Sequence, residues 1–305
     1  MDNMELPPHP LLSVVTLTYN NRRYLPETID SILSQDYPNI ELIISDDGSR
    51  DFDVEYWETY IREQYPQFGG RVQVRRNSVN LGTVCNANLA INMTAGKYIK
   101  LLSAGDMFAS PGAASYLVGD MERNRRSIAC SLSGVYDESM STLKRIYPKR
   151  RSLLKMGRMT AEEQFITLAG FNAINAIGVI FTKDLYEQSG GFDEAYRLLE
   201  DYPMWLKLTR CGIKIEFINF VSTKYRFGGV MADRPRNPAL RKDLMSVMER
   251  EIIGSRARFT ARQWRDVQTH HEKAIHWREF TVAQKLRFLV RHPVFSLKRA
   301  LIRGG

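Results

Sequence analysis

The chain has 305 residues, of which 44% are hydrophobic and 25% are charged, and its formal net charge is +9. This composition is typical of a globular protein with one large or two small domains. The sequence contains no apolar run near the roughly 18 residues that span a bilayer, and its cysteines lack the spacings typical of metal sites or disulfides. Residues 1–10 carry acids and prolines and no apolar segment, so we expect no secretory signal there. We therefore expect a cytoplasmic protein, or one peripheral on the inner face of the cell membrane.

The first hundred residues alternate strand and helix patterns. Strands are predicted at 12–17, 40–44, 72–75 and 98–102, and helices at 21–35, 54–65 and 82–93. This repetition is typical of an α/β fold, in which helices cover both faces of a parallel sheet. Such sheets bind ligands at the carboxyl ends of their strands.

The second half of the chain is less regular. Predicted helices lie at 112–124, 184–188 and 202–211, and predicted strands at 128–135, 176–181 and 213–217. The basic stretch at 144–158 has no strong periodicity, so we expect a mobile loop there. After Pro238 the chain is helical and polar, and Pro293 interrupts the last pair of helices.

Two acidic residues lie in the cluster Ser45-Asp46-Asp47-Gly48-Ser49, which directly follows the second predicted strand. Asp46 and Asp47 lie where side chains are free to meet a ligand, and Tyr19 ends the neighbouring strand. A carboxylate there can accept a hydrogen bond from a nucleotide base or a ribose hydroxyl. A stacked aromatic ring contributes roughly 1–3 kcal/mol per base. The alternative is that Asp-Asp-Gly-Ser forms only a turn.

Three further acidic residues are candidates for cation binding and catalysis. Asp106 follows the strand at 98–102 and can bind Mg²⁺ or Mn²⁺ together with a diphosphate, although a helix N-cap is the alternative. Glu200 and Asp201 open a predicted helix, where either acid can act as a general base or interact with the helix dipole. Together these sites indicate a nucleotide-using enzyme.

Basic residues are clustered in two stretches. Seven lie within 144–158 and six within 281–305, in both cases without an acid. Such clusters attract nucleic acid, anionic lipid or a diphosphate substrate, and a solvated surface is the alternative.

The second of these stretches is also amphipathic. Its apolar residues lie on one face of each of two helices: Val282, Leu286, Leu289 and Val290 before Pro293, and Val294, Leu297 and Leu301 after it. A basic amphipathic pair of helices is typical of a segment that lies on an anionic membrane. The alternative is that these side chains dock on the protein's own core.

Several short motifs occur in a fixed order between residues 10 and 227. They are VVTLTYNN at 14–21, TIDSILSQDY at 28–37, ELIISDDGS at 41–49, Asn80-Leu81-Gly82 with Asn88, GKYI at 96–99, GGFDE at 190–194, and Glu200-Asp201 followed by Trp205-Leu206. Each motif is weak alone, but their order and spacing together resemble family 2 of the inverting glycosyltransferases, which has the GT-A fold.

The resemblance implies a Rossmann-like, mostly parallel sheet flanked by helices. It also implies transfer of a sugar from a nucleotide diphosphate donor, with uridine as the default base, to a hydroxyl of a glycan or lipid-linked acceptor. Tyr19 would pack on the donor base, Asp47 would bond it, and Asp46 would lie beside the nucleoside. Residues 1–235 would form this domain, divided at about residue 110 into a nucleotide-binding half and an acceptor half, and 236–305 would form a helical basic extension.

The resemblance also assigns the catalytic chemistry. Asp106 would contact the metal ion, Mn²⁺ or Mg²⁺, or the diphosphate. Asp201, supported by Glu200, would take the proton of the acceptor hydroxyl, and in-line attack without a covalent enzyme intermediate implies inversion at the anomeric carbon.

Two departures from the family pattern concern the metal. Members commonly carry acids at the positions of Ser103 and Gly105, and many carry a histidine at the position of Phe227. Only Asp106 remains of the acidic run, so the metal requirement is open. Neither departure affects Asp201.

The expected partners are a nucleotide-sugar donor, a glycan or lipid-linked acceptor and an anionic membrane surface, without nucleic acid. The alternative from another class is a non-catalytic protein that binds a nucleotide-sugar or RNA. A nucleotidyltransferase is a third hypothesis, but it would need a glycine-rich loop near the first strand, and Tyr19-Asn20-Asn21 does not supply one.

Overall fold

The computed structural model describes residues 9–228, 237–276 and 281–291. Its strands, in chain order, are β1 (Leu12–Thr18), β2 (Ile40–Asp46), β3 (Val72–Arg76), β4 (Tyr98–Ser103), β5 (Met107–Phe108), β6 (Ile128–Tyr136), β7 (Leu143–Tyr147), β8 (Val179–Thr182) and β9 (Glu216–Arg226). Within the described residues these nine strands form one sheet, in the order β3-β2-β1-β4-β8-β6-β9-β5, with β7 paired to β6.

The α-helices cover both faces of this sheet. They are α1 (Leu25–Leu33), α2 (Val54–Gln64), α3 (Thr83–Ile91), α4 (Ala113–Arg123), α5 (Arg150–Gly157), α6 (Ala161–Gly170), α7 (Lys183–Gln188), α8 (Asp201–Arg210), α9 (Pro238–Val247), α10 (Ala261–His276) and α11 (Val282–Arg291). Successive residues of a strand enter opposite faces, so Val14 belongs to one hydrophobic core and Val15 to the other. The central strands are therefore continuous apolar runs, as expected for a sheet that is buried on both sides.

The parallel register of the first strands aligns their carboxyl ends. Thr18 of β1 lies opposite Asp46 of β2, and Leu17 of β1 lies opposite Ser103 of β4. Two backbone bonds continue the alignment beyond the strands, because the N–H of Asp47 donates to Thr18 and that of Ala104 donates to Leu17, both at 2.9 Å. The loops that follow these three strands consequently start at one edge.

The sheet continues from the predicted nucleotide-binding half into the predicted acceptor half. The first four strands in chain order are parallel, β8 runs antiparallel to both β4 and β6, and β9 is parallel to β6. The sheet is thus parallel around β1 and mixed beyond β4.

The prediction of a mobile loop at 144–158 was wrong. Residues 143–147 form β7, which pairs antiparallel with β6, and residues 150–157 form α5. Only Leu153 and Met156 of α5 are buried, so the helix carries too few apolar positions to give a recognisable period. The sequence reading also missed α6, which begins with a capping box between Thr160 and Glu163.

The basic C-terminal segment is described only in part. In α11, Phe288 is buried, whereas Val282, Leu286 and Val290 are 75%, 58% and 80% exposed. The predicted apolar face after Pro293 lies outside the described residues. No helix in the described ranges is both long enough and apolar enough to cross a membrane.

Candidate active site

The edge formed by the carboxyl ends of β1, β2 and β4 brings together the residues predicted to bind the donor. Tyr19 follows β1 and is 49% exposed, whereas Asp46, Asp47 and Asp106 are all buried. The exposed ring of Tyr19 can stack on a planar ligand. The three carboxylates already accept hydrogen bonds within the protein, so each can contact a ligand only with the part that those bonds leave open.

Asp46 closes the turn that follows β2. Its Oδ1 accepts from the backbone N–H of Ser49 at 2.8 Å, and its Oδ2 accepts from the Ser49 hydroxyl at 2.6 Å. The same hydroxyl oxygen accepts from the N–H of Asn20 at 2.7 Å, which links this turn to the loop after β1. Gly48 has a left-handed φ of +82°, and a Cβ there would lie 2.6 Å from the backbone of Val79. The turn is therefore built around Asp46, and its contact with a nucleoside stays a prediction.

Asp47 holds the segment between β3 and α3. Its Oδ1 accepts from the side-chain amide of Asn77 and the N–H of Leu81, and its Oδ2 accepts from the N–H of Gly82, each at 2.9 Å. These three bonds tie the segment to the end of β2. The predicted bond of Asp47 to the donor base would add to this set.

A buried polar network lies beneath Asp47 and was not found from the sequence. The guanidinium of Arg75 donates to Ser45 and to Asn77, both at 2.6 Å. The Ser45 hydroxyl and the Asn77 amide both donate to Oδ1 of Asn86, at 2.6 and 3.0 Å. This network fixes the ends of β2 and β3 against α3, so it supports the turn that Asp47 binds.

A cavity of about 560 Å³ opens beside this network. It is lined by Phe52, Asp53, Val54, Arg76, Asn77 and Ser78. The Nε of Arg76 lies 3.9 Å from Oδ1 of Asp46. Cavities of this size are typical of small-molecule sites. The Arg76 side chain is partly exposed, and sequence reasoning gave it no role.

Asp106 is held in the turn between β4 and β5. Its Oδ1 accepts from the backbone N–H of Arg226 at 3.0 Å. The Thr28 hydroxyl donates to the carbonyl of Asp106 and accepts from the N–H of Gly105, both at 2.9 Å. Burial raises the pKa of the Asp106 carboxyl to about 7, although the Arg226 bond and the charge of Lys100 act in the opposite direction.

Arg226 occupies the space beside Gly105. Its guanidinium lies 4.2 Å from the ring centre of Tyr24, pairs with Glu27, and donates to the carbonyl of Gly105 at 3.2 Å and to that of Glu138. Gly105 has a left-handed φ of +105°, and a Cβ there would lie 3.4 Å from Nε of Arg226. Gly105, at which the resemblance would place an acid, therefore faces a guanidinium in this chain.

Few side chains at this edge of the sheet could coordinate a metal ion. Within residues 9–228, 237–276 and 281–291, no three His, Cys, Asp or Glu side chains cluster as metal ligands do. Asp106 is the carboxylate at this edge that sequence reasoning assigned to the metal, and one of its oxygens already accepts a backbone bond. Mg²⁺ is typically bound by one or two carboxylates together with substrate phosphates. The residues present fit a cation that is held chiefly by a diphosphate.

Asp201 and Glu200 lie at the start of α8. The side-chain amide of Asn172 donates to Oδ2 of Asp201 at 3.1 Å, and the backbone N–H groups of Ala176 and Tyr202 also stabilise its charged form. Burial nevertheless raises the pKa of Asp201 above the ordinary aspartate range. Burial and the charge of Asp201 raise the pKa of Glu200. Asp201 is thus a positioned carboxylate with increased proton affinity.

Two residues that sequence reasoning did not assign hold the partners of Asp201. Lys100, in the middle of β4, is fully buried, and its ammonium group donates to the carbonyls of Ile177 and, at 3.2 Å, of Val179. This fixes the turn that contains Ala176. The hydroxyl of Tyr147 in β7 donates to the carbonyl of Asn172 at 3.1 Å. A lysine inside the apolar run YIKLL was the available sequence signal, whereas Asn172 gave none.

The motif GGFDE at 190–194 is hydrogen-bonded to the side-chain amide of Asn88. The Nδ2 of Asn88 donates to the carbonyl of Phe192 and to Oε1 of Glu194, both at 2.9 Å, and its Oδ1 accepts from the N–H of Phe192 at 3.1 Å. These two motifs therefore join α3 to the turn that precedes α8.

Comparison with known proteins gives a family match over more than half of the chain. Residues 13–179 match the profile described as Glycosyl transferase family 2. An uncharacterized glycosyltransferase of Haemophilus influenzae is 26% identical over 223 residues, which cover 72% of this chain and 66% of the relative. The uncharacterized glycosyltransferase MJ1057 of Methanocaldococcus jannaschii is 30% identical over 220 residues, or 71% of each chain.

Other relatives match over shorter shares of their length. The putative teichuronic acid biosynthesis glycosyltransferase TuaG of Bacillus subtilis is 34% identical over 125 residues, which cover 41% of this chain and 46% of TuaG. An uncharacterized glycosyltransferase of Rickettsia felis is matched over 34% of its length. This chain thus spans between about a third and 71% of the relatives named here.

Solved structures confirm the fold that the sequence predicted. Staphylococcus aureus TarS 1–349 in complex with UDP superposes with a TM-score of 0.56 at 15% identity, covering 87% of this chain and 81% of TarS 1–349. The mannosyltransferase PcManGT from Pyrobaculum calidifontis, in complex with GDP-Man and Mn²⁺, superposes with a TM-score of 0.58 at 17% identity, covering 95% of this chain and 81% of PcManGT. Both likenesses concern the α/β sheet with its flanking helices.

Replacement of Asp47 by Asn tests the bonds that hold the turn before α3. An amide has two N–H donors and one carbonyl oxygen, so it cannot accept from Asn77, Leu81 and Gly82 as the carboxylate does. We expect Asp47→Asn to lower the free energy of unfolding by about 1.5–3 kcal/mol, the range for hydrogen bonds to a charged group. Urea denaturation measures the change.

The matched control is Asp51→Asn, which removes a charge from an exposed pair with Arg22 in the same loop region. Exposed ion pairs contribute about 0–1 kcal/mol. Equal losses of stability in the two variants would contradict the proposed anchoring role of Asp47.

Proposed function

The chain belongs to glycosyl transferase family 2, and from this premise we propose that it is an inverting enzyme that moves a sugar from a nucleotide diphosphate donor, with uridine as the base, to a hydroxyl of a glycan or lipid-linked acceptor. The observation that carries the proposal is the buried carboxylate of Asp201, which the side-chain amide of Asn172 holds in place. A positioned carboxylate of raised proton affinity is what general-base catalysis requires.

The donor nucleotide is proposed to lie at the ends of β1, β2 and β3. Tyr19 offers an exposed ring for stacking on the base, and Asp46 and Asp47 border the nucleoside. The cavity beside Arg76 has the size of a small-molecule site. TarS 1–349 was solved with UDP and with UDP-GlcNAc, and PcManGT with GDP-Man, which supports a nucleotide-sugar donor and leaves the base to be measured.

The transfer step follows from the chemistry of Asp201. The acceptor hydroxyl gives its proton to the Asp201 carboxylate while its oxygen attacks the anomeric carbon from the face opposite the diphosphate. The bond between the sugar and the diphosphate breaks, the nucleotide diphosphate leaves with the electron pair, and the anomeric configuration inverts. Asn172 keeps the accepting carboxylate oriented, and Glu200 is the neighbour whose protonation depends on the charge of Asp201.

A divalent cation, Mn²⁺ or Mg²⁺, is proposed as the cofactor, and when bound it would neutralise the charge of the leaving diphosphate. Asp106 is the residue proposed to hold it. The complex of PcManGT with Mn²⁺ supports this assignment.

The acceptor is proposed to be a glycan or a lipid-linked glycan. The name of the TuaG relative assigns it to teichuronic acid biosynthesis, which supports a polysaccharide acceptor. Family membership favours transfer over the non-catalytic alternative, in which the protein would bind a nucleotide-sugar or RNA without reaction.

We also propose that α11 contacts an anionic membrane surface. Because Phe288 is buried, the opposite face of α11 points outward, and that face carries the exposed Val282, Leu286 and Val290. Residues 281–291 contain three basic residues and no acid, so the charge around the apolar face is complementary to anionic lipid.

Asp201→Asn tests the general base. We expect the rate of nucleotide diphosphate release from the accepted donor to fall by about 10²–10⁴, the usual contribution of a general base, while UDP binding is retained. The assay uses a panel of nucleotide-sugars with and without Mn²⁺. The control, Asp193→Asn, removes an exposed carboxylate that pairs with Arg250. If Asp201→Asn keeps the full rate, another group is the base; if the wild type releases no nucleotide diphosphate from any donor that it binds, the non-catalytic alternative is favoured.

The pH profile tests the raised pKa of Asp201. The base acts only when ionised, so activity is lost as the pH falls through its pKa. Because burial raises that pKa, the acidic limb of the kcat profile, defined by the pH at which kcat is half-maximal, should lie above about pH 3.9, the ordinary pKa of aspartate. Asn172→Ala removes a bond to the charged form and should move the limb to still higher pH. The control Asn175→Ala removes a neighbouring amide that bonds Ser133. A limb that does not move between these variants would argue against Asp201.

Substitution of the exposed face of α11 tests membrane contact. We expect Leu286→Ser with Val290→Ser to weaken binding to phosphatidylglycerol vesicles at least tenfold, because burial of one such side chain stabilises by about 1.5–3 kcal/mol. Phosphatidylcholine vesicles should bind weakly in all cases. The control Leu89→Ser with Met245→Ser changes two half-exposed apolar residues elsewhere. Equal effects of both pairs would disprove the assignment.

A further inference from the structure

A basic surface is formed by β7, the start of α5 and the residues that follow it. Its seven cationic side chains are all exposed: Lys144, Arg145, Lys149, Arg150, Arg151, Lys155 and Arg158. The sequence between Glu138 and Glu162 contains no acid. Because β7 is hydrogen-bonded to β6 and α5 buries Leu153 and Met156, this charge is presented on folded elements.

None of these seven cations is paired with an acid of the part of the chain that the structure describes. Exposed arginines elsewhere do pair: Arg23 with Glu138 at 3.0 Å, Arg250 with Asp193 at 3.1 Å and Arg258 with Glu162 at 2.6 Å. Like charges without counter-charges repel one another and destabilise the compact state. An anionic ligand would remove that repulsion.

The basic surface adjoins the proposed general base. Tyr147 of β7 donates to the carbonyl of Asn172, and the amide of Asn172 donates to Asp201, each at 3.1 Å. Arg145 and Tyr147 are two residues apart on one strand and therefore point to the same face of the sheet. A molecule that presents its hydroxyl to Asp201 thus has this surface beside it.

The register of the sheet also places Arg145 near the donor edge. Arg145 lies opposite Val135 of β6, which in turn lies opposite Tyr225 of β9. Burial and the charge of Asp106 raise the pKa of Tyr225 to about 12, and Arg145 opposes them. Arg145 and Asp106 therefore act on the same tyrosine, so the surface reaches from the donor edge towards α5.

We propose that this basic surface binds the acceptor and that the acceptor is a polyanionic glycan or carrier, with repeated phosphate or carboxylate groups. The proposal rests on the proposed function, since it names the acceptor class of the same site. The first turn of α5 contains no acid and begins with Arg150 and Arg151. Backbone N–H groups at a helix N-terminus add to the attraction for anions.

The composition of the surface favours a glycan over the other polyanions. Only Leu143 and Leu154 are exposed apolar residues there, which gives no continuous apolar face for insertion into a bilayer. Its one aromatic residue, Tyr147, is partly buried and bonded to Asn172, so a stacking platform for nucleic acid bases is missing from the segment.

Direct binding of a polyanion tests the proposal. The probes are a short fluorescent inorganic polyphosphate and a fluorescent oligogalacturonate, measured by anisotropy as a function of salt. The test variant is Arg150→Gln with Arg151→Gln and Lys155→Gln. The control variant is Arg123→Gln with Lys242→Gln and Arg262→Gln, which removes the same charge from exposed positions on α4, α9 and α10. Thermal unfolding of all three proteins checks that the variants are folded.

We expect the wild type to bind at least one probe and the test variant to bind it at least tenfold more weakly, with the control variant within about twofold of the wild type. The slope of log affinity against log salt should decrease by about one for each lost cation that contacts an anionic group. Preference for polyphosphate or for oligogalacturonate would identify phosphate or carboxylate as the acceptor's anionic group.

Three results would overturn the proposal. One is equal binding by the test and control variants. The second is binding to phosphatidylglycerol vesicles with neither soluble probe bound, which would make the surface a membrane contact. The third is tighter binding of oligoadenylate than of polyphosphate with the same charge, in the presence of saturating UDP, which would indicate nucleic acid.

Two assays on the wild-type protein distinguish a failure of this inference from a failure of the proposed function. UDP binding and donor-dependent release of nucleotide diphosphate are measured on it in the same buffers. If neither occurs, the transferase proposal fails whatever the polyanion result. If both occur while the polyanion results overturn the basic surface, only the acceptor inference fails.

Discussion

The buried carboxylate of Asp47 is the interaction on which the donor edge depends. It accepts hydrogen bonds from one side-chain amide and two backbone N–H groups of the segment between β3 and α3. An ionised carboxylate that loses its donors inside a protein costs several kcal/mol, so this segment cannot move away while Asp47 stays buried. The loops after β1 and β2 are tied to the same place through Ser49. The edge is therefore organised before a ligand arrives, which limits the conformational entropy lost on binding.

The surroundings of the proposed general base, Asp201, are also held by hydrogen bonds, in this case from side chains on β4 and β7. Lys100 fixes the turn that carries Ala176, and Tyr147 fixes the backbone of Asn172. Asn172, which bonds Asp201, and the turn at Ala176 are thus both anchored to strands of the continuous sheet. Because β4 also leads directly to Asp106, a single strand connects the two sets of candidate residues. Their relative position depends on backbone ladders, which deform less readily than loops.

Much of this organisation could be predicted from the sequence, for identifiable physical reasons. Apolar runs marked the buried parallel strands, and parallel pairing places their carboxyl ends at one edge, which located Tyr19, Asp46 and Asp47. Local patterns could not show the partners of Asp201, because Asn172 lies 29 residues away and meets it only through tertiary packing. The fold of 144–158 was also hidden, since α5 is anchored by two apolar side chains. Short helices with so little apolar surface depend on the sheet beside them.

The backbone at Gly105 has a consequence for how this chain can evolve. Its φ of +105° disfavours any residue with a Cβ, and the space beside it holds the guanidinium of Arg226. An acid introduced at this position by a single substitution would meet the backbone strain, and it would compete with Glu27 for the guanidinium of Arg226. We therefore expect the effect of an acid at position 105 to depend on the residue at position 226, because the two side chains would share one space at the end of β9.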